Sequence, residues 1–211
     1  MSVEIEILPD PVGESPARDG PIECAQAAVV TVDDELFERI WTPSTLEFLA
    51  RSYWRFLQRR SLGLIKIGFG PDSRSIHLLS RRITLLKFHA PRFESGADFG
   101  SVEWPIDRGM LVASEGQDKG YLKIDVRHPE ASSAGPGRER LIVTSEVANF
   151  YPRLRGSGWF TRLGTWLYSQ TQLRIHIWIT KGFLRSLRSL PAAVIGRGED
   201  PGGDAMGEDR R

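Results

Sequence analysis

The chain is poor in the residues that most often announce chemistry. It has 211 residues and a single cysteine, Cys24, so neither an intramolecular disulfide nor a multi-cysteine metal site can form. Its four histidines, His77, His89, His128 and His176, share no paired helical or strand spacing, and no HExxH occurs. GxGxxG, the P-loop and the Gly-x-Ser-x-Gly elbow are all missing. No metal and no cofactor are therefore expected. No stretch approaches the ~18 apolar residues of a membrane span. The N-terminal residues are acidic rather than basic-then-apolar. A cytoplasmic protein without a transmembrane segment is the expectation.

Charge of one sign is also lacking overall, since the net charge is +1. That sum hides a division. Residues 1–26 carry Glu4, Glu6, Asp10, Glu14, Asp19 and Glu23 against Arg18, a net −5. Residues 191–211 carry five acids against Arg197, Arg210 and Arg211, a net −2. The middle, 27–190, therefore holds +8. Both ends are rich in Gly, Pro, Ser and acids, with too little apolar surface to offset ordering entropy. They are expected to be acidic disordered tails around one folded domain, 27–190. Val3–Ile7 alternates like a strand but stands alone.

Within that domain the pattern is informative. Ala27–Val32 is a β-branched apolar run. Thr31-x-x-Asp34 and Ser44-x-x-Glu47 match capping boxes, with helices expected over about 34–40 and 44–59. After Gly63 the period changes to two. Leu64–Phe69, Ser75–Ser80, Ile83–His89, Phe99–Ile106, Met110–Ala113, Tyr121–Val126 and Arg140–Phe150 read as strands joined by short turns, which favours antiparallel pairing. Trp159, Leu163, Trp166, Leu173, Ile177, Leu184 and Leu187 form a helical stripe. Ser157 is placed to cap it, and Pro191 follows it.

This order of elements resembles the helix-grip fold of the START/SRPBCC superfamily over roughly residues 27–190, and the blocks Arg60–Ile67 (RSLGLIKI), Glu146–Pro152 (EVANFYP) and Tyr168–His176 (YSQTQLRIH) look like family signatures without pointing to a named family. The resemblance implies an α+β fold. A curved antiparallel sheet of about seven strands would wrap on a long C-terminal helix, with two short helices after the first strand. It also implies a cavity between sheet and helix for a small hydrophobic or amphipathic ligand, lipids included. Cyclases, dehydratases and hydrolases on the same fold give an enzymatic alternative.

Candidate residues follow from polarity where burial is expected. Gln170, Arg174 and His176 interrupt the apolar stripe, and Glu146, Asn149 and Tyr151 lie at the end of the last strand. Trp104, Asn149, Trp166, Gln170, Arg174 and His176 are candidate ligand contacts. His176, Glu146 and Tyr151 are the acid–base candidates. Aromatics at helical spacing fill cores more often than they line pockets, so the tryptophans carry two readings. Arg51, Arg55, Arg59 and Arg60 form one basic cluster, and seven basic residues without an acid run from Arg153 to Arg188. Such faces suit an anionic membrane surface better than nucleic acid, and a basic interaction module is a third reading.

Overall fold

Two-residue alternation along the chain resolves into one antiparallel sheet with a dry face and a wet face. The structure is a computed structural model and describes residues 2–9, 22–61, 63–70, 72–78, 83–112, 116–129, 135–150 and 173–189. At 22, 23, 149, 150, 173–178 and 189 it describes the backbone alone. Strands β1 (Val3–Ile7) and β2 (Ile22–Asp33) lead into helices α1 (Asp34–Ile40) and α2 (Pro43–Arg60). Then come β3 (Ile65–Phe69), β4 (Ser73–Leu78), β5 (Thr84–His89), β6 (Arg92–Ser95), β7 (Phe99–Arg108), β8 (Tyr121–Arg127) and β9 (Arg138–Phe150). Helix α3 (Leu173–Ser186) closes with a 3-10 turn, Leu187–Ser189.

The strands lie in the order β1-β2-β9-β8-β7-β5-β4-β3, and β6 shares one flank of β7 with β5. Register carries the hydrophobic pattern across the sheet. Val3, Ile5 and Ile7 pair with Val32, Val30 and Ala28, and Val30 and Ala28 pair in turn with Leu141 and Val143. Leu122, Ile124 and Val126 face Val147, Ser145 and Val143, then Trp104, Val102 and Gly100 on β7. All these residues share one face, because cross-strand partners point the same way; a slip by one residue would turn the apolar set outward. The helices cover this face. From α2 they bury Leu46, Leu49, Ala50, Tyr53, Trp54 and Leu57, and from the C-terminal segment Phe183, Leu184 and Leu187. Each fully buried side chain of this size contributes about 1.5–3 kcal/mol.

The helix-grip expectation is corrected here. The sheet has nine strands rather than about seven, and its two helices follow the second strand. The C-terminal helix described is 14 residues, not a long one. At 1.5 Å per residue it spans ~21 Å, whereas eight strands side by side measure ~34 Å. It cannot roof the sheet alone, and α2, with 18 residues, shares the cover. The stripe residues Trp159, Leu163 and Trp166 lie outside the described residues.

Smaller differences have local causes. Val3–Ile7 completes the sheet at the outer edge of β2, and residues 22–26 extend β2. Residues 191–211 are outside the described part. Strand β6 is exposed throughout and too short for alternation to mark it; it is held by the backbone of β7. Met110 and Leu111 form a turn rather than a strand, bonding back to Thr84 and Leu85. Neither capping box is used. Thr31 stays in β2, and Asp33 precedes α1 without a capping bond. At α2 the cap is Thr42, whose Oγ1 accepts from the Thr45 N–H at 3.3 Å, with Pro43 in the first helical position.

Candidate ligand cleft

The dry face is not filled evenly. Where α2 begins, the sheet opposite offers Val30, Val32, Gly100, Val126, Leu141 and Val143, all smaller than an aromatic ring. Gly100 brings no side chain at all, and a Cβ placed there would stand 3.5 Å from Leu46 Cδ2. A cleft of about 230 Å³ results, walled by these residues with Leu46, Leu49, Ile40 and Leu187. Val3, on the edge strand, closes one side. Among the described residues no charged side chain lines it, and side-chain hydroxyls come from Thr42, Thr45 and Ser95.

Trp41, in the two-residue link between α1 and α2, stands at the rim and is fixed from several directions. Its indole N–H donates to the Ala97 carbonyl at 3.1 Å. Its ring stacks on Phe37 at 5.4 Å between centroids, and Phe37 lies 4.5 Å from the His128 ring. His128 Nε2 is 2.9 Å from Glu139 Oε2, which holds the imidazole against the aromatic pair. The sequence marked neither Trp41 nor Gly100. The one signal was the Trp-Thr-Pro link between two helical patterns.

One expected ligand contact, Trp104, falls elsewhere. Trp104 is buried in the core, 5.2 Å from Trp54 and 6.3 Å from Tyr53, and does not line the cleft. Tyr151, Trp166 and Gln170 lie outside the described residues. Asn149 is on β9, and Arg174 and His176 are on α3; their side chains lie outside the description. Glu146 points to the wet face, accepting from the Tyr121 hydroxyl at 3.1 Å and pairing across strands with Lys123. Helix α3 packs on the opposite, dry face. Glu146 and the packed part of α3 therefore lie on opposite faces of the sheet, while the His176 side chain and Tyr151 lie outside the described residues.

Two further clusters were tested for chemistry. His89, Asp107 and Asp118 bring ligand atoms within 4.8 Å of one another. However, Lys87 Nζ stands 3.2 Å and Arg108 Nε 3.6 Å from Asp107, and His89 lies 2.7 Å from Asp118. Lys87 and Arg108 pair with Asp107, and His89 hydrogen-bonds Asp118, so these groups are already engaged with one another. Gln26 donates to the Leu8 carbonyl at 2.9 Å, while its Oε1 and the Oγ of its cross-strand partner Ser145 are buried without partners. Neither residue lines the cleft. The cleft is thus the feature best suited to a ligand. No protein-family model matches the chain, and no curated protein matches it.

Proposed function

We propose that the protein binds a small apolar or amphipathic molecule in the cleft beneath the start of α2. The observation that carries this reading is a cavity of about 230 Å³ whose walls are apolar, mostly aliphatic with Trp41 and Phe99, and whose side-chain hydroxyls are those of Thr42, Thr45 and Ser95. Apolar walls with a few polar groups are the usual make-up of small-molecule sites. Size limits the occupant. An enclosed apolar space of about 150 Å³ holds benzene, and drug-sized ligands occupy about 300 Å³ or more. The cleft suits one or two fused rings, or the end of an acyl chain, rather than a whole sterol or phospholipid.

Gly100 provides the test. Gly100→Leu fills the floor beneath Leu46 while keeping an ordinary strand backbone. An environment-sensitive naphthalene dye should bind the wild-type protein and be displaced by octanoate or naphthalene. The variant should lose at least about tenfold in affinity, a change of ~1.4 kcal/mol, with its circular dichroism unchanged. Equal dye binding by both proteins would reject the cleft as the site.

A further inference from the structure

The charged residues divide between the two sides of the molecule. On the wet face of the sheet, cations and acids alternate and pair: Lys87 with Asp107, Arg92 with Glu103, Lys123 and Arg127 with Asp125. The helical side differs. Arg51, Arg55 and Arg59 lie one turn apart along the exposed back of α2, with Arg60 beside them. Glu47, paired with Arg51 at 3.0 Å, is the one acid on that helix. Helix α3 and its turn add Lys181, Arg185 and Arg188 and contain no acid.

The two helices lie side by side and antiparallel. Phe56 meets Gly182, whose missing side chain allows the approach, while Leu187 reaches Leu46 and Leu49 at the cleft. The backs of α2 and α3 thus carry seven cations and one acid, while α1 on the same side of the sheet carries Asp34, Glu35 and Glu38 with Arg39. Arg51, Arg55, Arg59, Arg60, Arg185 and Arg188 are exposed. Arg60 lies over the half-buried Phe56 ring at 5.6 Å. A cation carried on apolar surface suits the boundary between lipid headgroups and acyl chains.

We infer that the back of α2 and α3 docks on an anionic lipid bilayer. A bilayer fits better than nucleic acid. Single-strand binders stack bases on exposed aromatics. The exposed aromatics among the described residues, Phe69 and Phe93, sit on β3 and β6 instead. A surface of several separated arginines matches a plane of anionic headgroups, each contributing about fivefold in partitioning. The inference does not depend on the cleft.

Vesicle co-sedimentation of the full chain tests it. Vesicles of phosphatidylcholine alone should bind weakly, and those with about one-third phosphatidylserine strongly, with binding lost as salt rises from ~0.05 to ~0.5 M. Arg55→Glu with Arg59→Glu, and separately Arg185→Glu with Arg188→Glu, should each lower partitioning at least tenfold. Lys66→Glu with Arg92→Glu on the strands should change it less than twofold. Should a reversal variant melt early, the Gln versions serve in its place, with at least a fivefold loss expected. Binding indifferent to phosphatidylserine or to salt, or unaffected by both helix pairs, overturns the inference. So does duplex DNA or RNA outcompeting the vesicles. Dye binding in the cleft, measured in parallel, reports on that site separately.

Discussion

Gly100 and Trp104 stand on the same strand, four residues apart, on the same face of the sheet. At Gly100 the space beneath α2 is open; at Trp104 it is closed. The closed end gathers Trp54, Phe88, Tyr53 and Phe183 around Trp104, with ring centroids 5.1 to 5.5 Å apart at steep angles. Edge-to-face pairs of this kind add about 0.5–1.5 kcal/mol each beyond the area they bury. The open end is mostly aliphatic, with Trp41 and Phe99 also lining it. The difference teaches that the clustered aromatic rings around Trp104 fill space, and that the cavity lies where the sheet under α2 offers mainly aliphatic side chains and Gly100.

Substitutions at the two ends should therefore behave differently. Trp104→Ala empties the packed end and should cost ~3–5 kcal/mol, a fall in melting temperature on the order of 10 °C. A loss below 1 kcal/mol in denaturant titration would show the aromatic cluster to be loosely packed. Leu49→Ala enlarges a space that already exists, and its cost should sit near the low end for buried leucine, ~2 kcal/mol. Chemical denaturation of both variants in one buffer compares the ends directly. Gly100→Ala fits at ordinary contact distance and removes the entropy penalty of glycine in a strand. A gain of ~0.5–1 kcal/mol is expected, and a loss would mean the cleft floor is tighter than described.

Protonation sharpens the contrast further. Burial pushes the Tyr53 phenol well above its ordinary value, so the folded protein holds it neutral. The unfolded chain ionises it from about pH 10. The stabilisation is thus fully present below about pH 10 and is lost progressively as pH rises toward the folded value. Wild type should lose ~0.8 kcal/mol more than Tyr53→Phe at pH 10.5; parallel stability curves would refute it. The smallest effect is at Asp33. The Ser2 backbone N–H, 2.8 Å away, holds this carboxyl below its ordinary value. Desolvation opposes the shift, and the Ser2 hydroxyl and Arg138 add to it. Its hold on β1 should be full above about pH 4 and weaken as pH falls through the lower folded value. Amide exchange confined to residues 3–7 is the readout, and uniform exchange across the sheet would count against it.

How much of this was legible depended on periodicity. Strands with one dry face, such as β7, β8 and β9, declare themselves by alternation, as does the stripe of α2. Strand β6 is four exposed residues with one apolar side chain, Phe93, too short for alternation to reveal a strand held by its neighbour's backbone. The α2 cap was misplaced by two residues because Ser44-x-x-Glu47 imitates a capping box, while Pro43 moves the start of the helix back to Thr42. The cleft was legible only in outline. A ligand space was expected from a resemblance, but it was sought among tryptophans. Its defining residue is a glycine, and an absent side chain leaves no periodic mark. Whether Glu146 faced the ligand could not be read either, because both parities of β9 carry apolar residues; cross-strand register with Lys123 decides it.

Strand β1 has one neighbour, yet Val3 at its tip forms a wall of the cleft. Its outer anchors are the Ser2–Asp33 bond and the contact of Arg138 with Glu4 at 3.2 Å. An occupant that touches Val3 can bind tightly only while this edge is docked. Occupancy and edge fraying then become two readings of one equilibrium, linked by RT ln(1 + [L]/Kd). This edge strand is thereby an internal gauge of how full the cleft is.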